Sequence, residues 1–510
     1  MAKQLVTASI QAPGFYGLNL QDSSVTLNEG FALVTDNCVI DEFGRLGARK
    51  GYAYVSDKVA HADVSLVGGY ECISIDGTST LFGWSNSTFY TSSGDTLTAI
   101  TNNSSNVFSG NAHWVAATLN DQCFFFSRGF TPMVYNPAGN ELIDVATAPE
   151  ANAVVSAYGR LWVADTSTDK LTVWWSDLLD GTNWTTGSAG SLDLAAILVN
   201  GGDEITTFAT QAGRLIVLCK NNVVIFSDND GDNILDPISM RLVEVISGIG
   251  CVVRDSVQNV ASDVLFLAND GLRSIGRLIQ EKGQPLSDVS RNIRDELVRE
   301  ISLSTNKLLI KSAYDQSNAF YLLLFPQFTE VYCFDVRQYL QDGSARVTNW
   351  ENQNQTDMLI VNNELHFTHQ HGLVKYDGYT DDGASYTMKY YTNHLDFGDS
   401  TTLKKVKRMS LTIVSQSSER ERDLLFRVGY DYIASSWYEE YGEMRYTAIA
   451  EFNVAEFGVG LYGTGDSTET LRVPMGGSGS VFQAGFEAVI DGYALSVQRV
   501  DLYVKQGRIY

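Results

Sequence analysis

Four aspartates lie close together in the stretch SDNDGDNILDP, at Asp228, Asp230, Asp232 and Asp236. Counted from Asp228 they occupy positions 1, 3, 5 and 9, and Asn233 occupies position 6. Calcium-binding loops place their oxygen ligands in that order and use Gly or Asn at the sixth position for a tight turn. Because carboxylates this close repel one another without a cation, the pattern predicts a structural Ca²⁺ site. The alternative is an acidic hairpin tip that stays open to water.

The stretch VWWSDLLDGTNW resembles the Asp-box of sialidases, a Ser-x-Asp-x-Gly-x-Thr-Trp turn that is repeated once per blade of a β-propeller. Ser176, Asp177, Asp180, Gly181 and Trp184 supply the residue types, but the spacing from Asp to Gly is wrong. A sialidase also needs arginines that clamp a carboxylate, and a Tyr nucleophile with an acidic partner. Several arginines lie near predicted strands, but nothing in the sequence indicates that they converge on one site. They are Arg128, Arg160, Arg214, Arg254 and Arg273. We therefore interpret the stretch as an architectural turn.

Three of the six histidines cluster in HFTHQH, at His366, His369 and His371. In a strand, His369 and His371 would share a face and could ligate a transition metal. The following HGL favours a hairpin turn instead, and no third ligand is evident. The sequence also contains no P-loop, no GxSxG elbow and no HExxH helix. We expect a protein without catalytic activity and without a cofactor other than the Ca²⁺ ion.

The most strongly basic run comprises Lys404, Lys405, Lys407 and Arg408. In a regular strand, Lys405 and Lys407 would share one face, and Lys404 and Arg408 would share the other. Such a run fits docking on an acidic partner surface. It fits equally a solvated strand edge that is protected against aggregation, which is the simpler interpretation.

The whole chain is strongly acidic, with 60 Asp and Glu against 36 Lys and Arg and a formal net charge of −24. Proteins that grip a nucleic-acid backbone normally carry an excess of basic residues, so most of this surface should repel nucleic acid. Solubility alone would also explain the charge. We find neither a signal-like apolar run near residue 1 nor a stretch of about 18 apolar residues, and expect no stable membrane insertion. The six scattered cysteines are typical of buried free thiols made in a reducing cytoplasm.

These residues must be positioned mainly by β-structure, because Tyr, Phe and Gly are frequent and buried and exposed positions alternate. A unit of two strands and a short turn recurs seven times, at intervals of 37 to 56 residues. Propeller blades repeat at about 40–50 residues with four strands each. The pattern predicts an all-β fold containing a β-propeller of about six or seven irregular blades; the alternative is a large irregular β-sandwich. We align the copies on Leu81, Phe124, Leu161, Leu215, Leu265, Tyr321 and Leu365.

One segment, LSDVSRNIRDELVREI, breaks the β pattern because an apolar residue recurs at every fourth position. This spacing predicts an amphipathic helix, with Ser287 or Asp288 as its N-cap. The segment lies between two predicted blades, so we expect an insertion that packs on the side of the propeller. The apolar stripe consists of Val289, Ile293, Leu297 and Ile301.

The repeat ends near residue 384, and longer alternating strands follow. This change predicts a separate C-terminal β-sandwich that serves as a platform. We therefore divide the chain into three parts. Residues 1–60 form an N-terminal arm with the first strands, which packs with the platform or the propeller. Residues 61–384 form the propeller, and residues 385–510 form the sandwich.

The stretch GLNLQDSSVTLNEGFALVTDNCVIDEFGRLGARKGY contains an ordered set of glycines and other residues. This stretch resembles the nozzle proteins of short-tailed phages. So do the blade YGRLWVAD…VWWSDLLDGTNW and the segment PLSDVSRNIRDEL that follows ANDGLRSIGR. That family is also called tail tubular protein B or packaged-DNA stabilisation protein. The similarity extends over nearly the whole chain, but each motif is degenerate and none marks a catalytic residue. The matching residues of the opening stretch are Gly17, Asn19, Leu27, Gly30, Asn37, Gly44, Leu46, Arg49, Gly51 and Tyr52.

The resemblance implies a structural protein of the virion tail that is assembled in the host cytoplasm. Six copies would form a homohexameric ring below the portal and the tail adaptor, and the ring would also contact tail fibre, spike or needle proteins. Its channel would retain packaged double-stranded DNA and later conduct it, without sequence-specific binding. An acidic lumen would repel the phosphates and let the DNA slide. The alternative function is a glycan-binding or glycan-cleaving β-propeller.

Overall fold

The N-terminal part of the fold consists of six short strands that are shared between the two larger parts of the molecule. The structure, a computed structural model, describes residues 5–110, 112–198, 202–228, 235–281, 288–416, 422–433, 437–444 and 466–509. The six strands are β1 (Leu5–Gln11), β2 (Gly17–Leu18), β3 (Phe31–Asp36), β4 (Cys38–Ile40), β5 (Leu46–Ala48) and β6 (Tyr52–Tyr54).

Mainly antiparallel sheets then follow one another along the chain, and we number them as blades 1 to 7. Blade 1 contains β7 (Gly68–Ile73), β8 (Ser79–Trp84), β9 (Phe89–Ser93) and β10 (Thr96–Ala99). Blade 2 contains β11 (Thr101–Asn102), β12 (Val115–Leu119), β13 (Gln122–Ser127), β14 (Phe130–Asn136) and β15 (Glu141–Asp144). The one parallel pair within the blades in the described ranges joins β11 to β15. Blade 3 contains β16 (Ala151–Ala157), β17 (Arg160–Thr166), β18 (Thr172–Trp175) and β19 (Gly190–Asp193).

The remaining blades continue the same antiparallel order. Blade 4 contains β20 (Ile205–Gln211), β21 (Arg214–Cys219), β22 (Asn222–Ser227) and β23 (Arg241–Ser247). Blade 5 contains β24 (Gln258–Val260), β25 (Asp263–Ala268) and β26 (Gly271–Ser274). Blade 6 contains β27 (Lys311–Asp315), β28 (Phe320–Phe325), β29 (Glu330–Asp335) and β30 (Arg346–Trp350). Blade 7 contains β31 (Asp357–Val361), β32 (Glu364–His369) and β33 (Gly372–Tyr376), with β6 as its outer strand.

The seven blades form a closed ring. Every neighbouring pair of blades shares one buried apolar cluster, and a further cluster, with Leu66 and Leu359, joins blade 7 back to blade 1. The inner strands β7, β12, β16, β20, β27 and β31 contact their neighbours around the ring, and in blade 5 these contacts are made by β24 and β25. The inner strands therefore surround the propeller axis. The fold is therefore all-β with a seven-bladed propeller, as the repeat predicted. Each residue used to align the seven copies lies in the second strand of its blade, or in β13 of blade 2.

The insertion between blades 5 and 6 contains the predicted apolar stripe, and Val289, Ile293, Leu297 and Ile301 are all buried. The prediction of Asp288 as the N-cap is wrong, and the alternative N-cap, Ser287, lies outside the described residues. A 3₁₀ turn (Arg291–Ile293) precedes helix α2 (Arg294–Leu303), because the Asp288 carboxylate accepts the Ser290 N–H in a local turn instead of capping a helix. A short helix that the sequence did not predict, α1 (Ile275–Glu281), follows blade 5 directly.

Two sheets pack face to face in the C-terminal part and form a β-sandwich. One sheet has the order β38-β35-β40-β5-β4, with β1 also paired to β40. The other contains β34, β39, β36 and β37 in that order. Side chains such as Leu411 and Val500 from the first sheet meet Phe426 and Phe486 from the second in one buried core. The strands are β34 (Tyr386–Thr392), β35 (Thr402–Gln416), β36 (Arg422–Tyr430), β37 (Trp437–Met444), β38 (Asp466–Pro474), β39 (Phe482–Ile490) and β40 (Leu495–Ile509).

The propeller and the sandwich are joined by a continuous sheet of ten strands. Blade 6 extends through β2 and β3 into the sandwich sheet, in the order β27-β28-β29-β30-β2-β3-β34-β39-β36-β37. Gly17 pairs with Val347, and Asp36 pairs with Asn349, so short N-terminal strands bridge blade 6 to β34. Main-chain pairing therefore connects the two parts directly, rather than a single linker.

The described residues show the state of the cysteines and the character of the helices. All six cysteines are buried and unpaired, as their surroundings in the sequence predicted. Within the described ranges, no helix has the length and apolar character needed to cross a membrane.

Candidate functional site

Charged side chains converge at one end of the propeller axis, where the innermost strands begin. Lys311 is the first residue of β27 and Asp357 is the first residue of β31. Arg254 lies in a 3₁₀ turn (Arg254–Ser256) between blades 4 and 5. These three side chains are less than a tenth exposed, so their charges must be balanced locally. We call them, with Asp255, the axial cluster.

Asp255 is the common partner of the two cations in the axial cluster. Its Oδ1 and Oδ2 accept bonds from Arg254 Nε at 2.7 Å and Nη2 at 2.9 Å, and Lys311 Nζ lies 2.6 Å from Oδ2. Burial alone would raise the pKa of this carboxyl, but the adjacent Arg254 and Lys311 hold its pKa far below the usual range. Both carboxylate oxygens are therefore engaged by cations, which leaves Asp255 poorly suited to accept a proton.

Arg254 also connects three blades through its third nitrogen. Nη1 donates to Asn152 Oδ1 at 2.8 Å, to the Asn152 carbonyl at 3.0 Å and to the His113 carbonyl at 3.1 Å. Asn152 in turn donates to Asp165 Oδ2 at 2.9 Å. Because Asn152 lies in the first strand of blade 3 and His113 precedes the inner strand of blade 2, one guanidinium holds the inner strands together.

Asp357 in the axial cluster and His113 beside it are also titratable groups. Burial raises the pKa of Asp357 to about 6, although Lys311 opposes that shift. Burial and the neighbouring cations Arg254 and Lys311 lower the pKa of His113. The amide nitrogen of Asn306 lies 2.8 Å from His113 Nε2, which requires an unprotonated, accepting nitrogen there. The surroundings of the cluster therefore favour a neutral His113.

A cleft of about 280 Å³ opens next to the axial cluster. It is lined by Trp84, Trp114, His113 and Lys311, among others. Both tryptophans are nearly buried, since Trp84 is 4% exposed and Trp114 is 3% exposed. The cleft offers an aromatic wall beside a cation, which is the general composition of a small-molecule site.

A second polar cluster lies at the junction of propeller and sandwich. Arg49, which is 1% exposed, binds the Asp381 carboxylate through two nitrogens at 2.8 and 2.7 Å. Its Nε donates to Asn37 Oδ1 at 2.9 Å, and its guanidinium lies 4.1 Å from the ring centroid of Tyr386 in β34. Arg49 and Asn37 are two of the residues that carry the family resemblance. In this chain they connect the last blade to the platform.

Two of the predicted calcium ligands, Asp228 and Asp236, lie between β22 and β23. Asp228 Oδ1 accepts a bond from Ser239 Oγ at 3.1 Å, and Asp236 Oδ1 accepts the Ile238 N–H at 3.2 Å. Asp230 and Asp232 lie outside the described residues. Among the residues that are described, no three His, Cys, Asp or Glu are grouped as metal ligands. The Ca²⁺ site therefore stays a prediction.

The Asp-box-like stretch forms the turn between β18 and β19. Asp177 Oδ1 accepts the Ser188 N–H at 2.9 Å, the Ser188 hydroxyl at 2.7 Å and the Leu178 N–H at 2.9 Å. These donors lower the pKa of Asp177 to about 2. The Trp184 indole donates to the Gly181 carbonyl at 2.8 Å and packs between blades 2 and 3. The polar groups of this turn therefore bond to one another and stabilise the conformation of the turn.

The three clustered histidines occupy a hairpin, with His369 at the end of β32 and His371 in the turn before β33. His369 Nδ1 lies 2.8 Å from the Tyr54 hydroxyl, and His371 contacts the carbonyl of Ala62. His366 Nδ1 lies 3.0 Å from the Glu364 carbonyl. The positions of His369 and His371 confirm the hairpin interpretation. The three rings contact different neighbours rather than one shared point.

The structure confirms that Lys405 and Lys407 share an exposed face, but the prediction that Arg408 shares the face of Lys404 is wrong. Lys404 is buried and its Nζ donates to the carbonyls of Asp399 and Ser480. Lys405, Lys407 and Arg408 are all exposed. The register shift in the β35–β40 pairing between Val406 and Arg408 breaks the alternation, so two successive basic residues face outward.

The five arginines noted in the sequence do not converge on one place. Arg128 pairs with Asp165, Arg273 pairs with Asp270, and Arg160 donates to the Ser176 carbonyl at 2.9 Å. Arg254 alone belongs to the axial cluster. Sequence reasoning missed that cluster because its members come from different blades. The one usable signal was a charged residue at the start of an apolar inner strand, as in Lys311 and Asp357.

No family model matches this sequence, and no curated protein matches it. Solved structures with some likeness include BamB from Moraxella catarrhalis, with 12% identity and a TM-score of 0.37 over 74% of this chain and 97% of that chain. YCF48 from Cyanidioschyzon merolae has 11% identity and a TM-score of 0.32, over 61% of this chain and 95% of that one. An exo-β-1,3-galactanase from Phanerochaete chrysosporium has 10% identity and a TM-score of 0.27, over 90% of this chain and 100% of that chain. Likenesses this low carry no argument, and the propeller rests on its own sheets and interblade cores.

Proposed function

We propose that this chain is a virion structural protein, the tail nozzle of a short-tailed phage. It acts by assembly and electrostatics rather than by catalysis. Six copies form a ring with the tail adaptor and contact the fibre, spike or needle proteins. The ring retains packaged double-stranded DNA and conducts it during ejection. The protein is assembled in the host cytoplasm and resides in the virion tail.

The observation that carries this proposal is the composition of the propeller axis. Arg254, Asp255 and Lys311 bind one another and the inner strands, so the groups that could perform acid–base chemistry hold blades together instead. The axial end is therefore better suited to rigidity than to turnover. A rigid propeller fits a ring subunit that must bear the pressure of a packaged genome.

Two further features support the assembly role. The continuous ten-stranded sheet joins the propeller to the sandwich by main-chain pairing, which suits a part of a load-bearing ring. The formal charge of −24 disfavours adhesion of DNA, because a basic channel would add phosphate contacts and friction. The choice of the nozzle among structural proteins rests on the sequence resemblance.

Immunogold labelling tests the nozzle directly. An antibody raised against this chain is applied to particles from a lysate of the source culture. Gold at a single vertex, on a short tail, is the expected result. Gold confined to soluble material, or absent from particles, would overturn the proposal.

The second candidate is a glycan-binding or glycan-cleaving propeller, and the cleft beside the axial cluster favours it. Trp84 and Trp114 line this cleft together with Lys311, and ligand sites are commonly lined by aromatic side chains beside a few polar groups. A thermal-shift series with neutral and acidic oligosaccharides tests this function. A saturable rise in melting temperature that is lost in Trp114→Leu would favour the glycan protein over the nozzle.

A further inference from the structure

A cavity of about 620 Å³ lies between the N-terminal segment and the loop that joins β29 to β30. Its walls include the rings of Tyr16, Phe31 and Tyr339. The Tyr16 and Phe31 ring centroids are 5.3 Å apart, so these two rings form one continuous aromatic surface. The volume falls within the range of about 300–1,000 Å³ that is usual for small-molecule sites.

One cation lines this cavity without a counter-ion. Arg346 is the first residue of β30 and is 8% exposed. Its Nε is buried and has no hydrogen-bond partner, and within the described ranges the guanidinium forms neither a hydrogen bond nor an ion pair. The Nε atom has lost water without gaining an acceptor, which is costly, whereas the two terminal nitrogens are not fully buried and remain open to a ligand in the cavity.

The nearest acidic residues are already engaged elsewhere. Asp342, which also lines the cavity, binds Arg291 Nη1 at 2.7 Å through Oδ2 and the Ser344 hydroxyl at 2.7 Å through Oδ1. Asp335 pairs with Arg346 across the sheet, yet its Oδ1 accepts from Arg337 Nε at 2.8 Å. The fold therefore leaves one positive charge at the cavity to be balanced from outside.

We propose that this cavity binds a small ligand with one carboxylate and an aromatic body. The planar guanidinium of Arg346 matches a carboxylate through two parallel hydrogen bonds. The rings of Tyr16 and Phe31 cover the aromatic body by stacking and edge contacts. Tyr339, whose ring centroid lies 4.4 Å from the Arg277 guanidinium, adds a further contact. A single unpaired cation balances one negative charge, which favours a carboxylate over a phosphate dianion. The site is independent of the nozzle proposal, since it needs neither a ring nor DNA.

Titration calorimetry with the full chain tests the site, with phenylacetate as the probe and 2-phenylethanol and inorganic phosphate as comparisons. We expect saturable binding of phenylacetate and at least tenfold weaker binding of the other two. Arg346→Gln should abolish phenylacetate binding, and Arg346→Lys should weaken it because a lysine cannot form the paired bonds. Arg241→Gln, which removes an exposed arginine elsewhere, should bind as the wild type does.

A thermal melt without ligand provides a second readout. Because Arg346→Gln removes a charge that has no counter-ion and whose Nε is buried without an acceptor, we expect it to melt at a higher temperature than the wild type. Equal binding of 2-phenylethanol and phenylacetate would overturn the carboxylate assignment. So would tighter binding of phosphate, or unchanged phenylacetate binding by a folded Arg346→Gln protein.

Discussion

The carboxyl group of Glu300 shows how one buried residue makes stability depend on pH. Glu300 lies in α2 and is 3% exposed. Its Oε1 accepts a hydrogen bond from the Tyr332 hydroxyl at 2.7 Å. Burial above all, and the nearby Glu330 and Glu296, raise its pKa from an ordinary value of 4.5 to about 8. The folded chain therefore holds a proton that the unfolded chain releases near pH 4.5.

This raised pKa predicts that stability falls as pH rises. The contribution of Glu300 is complete below about pH 4 and is lost as the pH passes through 8. Glu300→Gln keeps an acceptor for Tyr332 and cannot ionise, so its free energy of unfolding should exceed that of the wild type at pH 9 by about 1 kcal/mol or more. Urea denaturation at pH 6 and pH 9 measures the effect. Glu42→Gln, at an exposed site, should follow the wild type, and parallel behaviour of Glu300→Gln would contradict the prediction.

Asp255 has the opposite effect on pH dependence, because its pKa is held below the ordinary value. Its stabilising contribution is present above about pH 4 and is lost as the pH falls. Asp255→Asn removes the counter-ion of Arg254 and Lys311 at once, and we expect a loss of about 3 kcal/mol at pH 7. Urea denaturation measures this loss.

A matched control for Asp255→Asn is Asp382→Asn, which breaks the exposed ion pair with Lys58. Exposed pairs contribute about 1 kcal/mol or less, so this variant should remain close to the wild type. Equal losses in the two variants would show that the axial cluster does not hold the blades together.

At the scale of the element, strand β6 closes the propeller ring from the N-terminal side. It pairs with β33 in blade 7 through Tyr52, Ala53 and Tyr54. Gly51 precedes β6, and a Cβ on it would lie 2.0 Å from the Thr380 carbonyl oxygen. The close approach of two backbones at this point requires a residue without a side chain.

We expect Gly51→Ala to displace β6 from blade 7. The loss of stability should be about 1–3 kcal/mol, as for other overpacked sites, and amide exchange should increase in β33. Gly202→Ala is the control, since a Cβ on that residue would meet no atom within 4 Å. If Gly51→Ala exchanges and unfolds as Gly202→Ala does, β6 is not a required closure of the ring.

At the scale of the whole molecule, the ten-stranded sheet predicts that propeller and sandwich unfold together. Calorimetry of the wild type should show one cooperative transition. Gly17→Ala should separate it into two, because a Cβ there would lie 2.3 Å from the Val347 carbonyl oxygen and would break the β2–β30 pairing. Gly77→Ala has a similar positive φ but open space around it, and should keep one transition. Two transitions in the wild type would contradict this account.

The repeat was readable from the sequence because alternation of buried and exposed residues is a local property of each strand. Leu161 and Leu215 mark second strands correctly for that reason. The stripe from Val289 to Ile301 also predicted buried residues. The start of α2 could not be placed in this way, because Asp288 bonds to Ser290 in a turn that only the surrounding packing selects.

The faces of the basic run show the same limit on a smaller scale. Regular alternation predicted that Arg408 shares a face with Lys404, but the bulge after Val406 shifted it to the face of Lys407. A bulge depends on which partner strand supplies the hydrogen bonds. That partner, β40, lies about ninety residues further along the chain.

By itself, the sequence determined the strand repeat, the all-β class, the acidic charge and the buried thiols, because each follows from local periodicity or composition. Only the tertiary structure decided that Arg254, Asp255 and Lys311 meet at the axis. It also decided that Arg346 lines an aromatic cavity without a counter-ion. The physical reason is that the pairing of buried charges depends on distances between strands that are far apart in the chain. Closure of the ring, which brings those strands together, sets these distances.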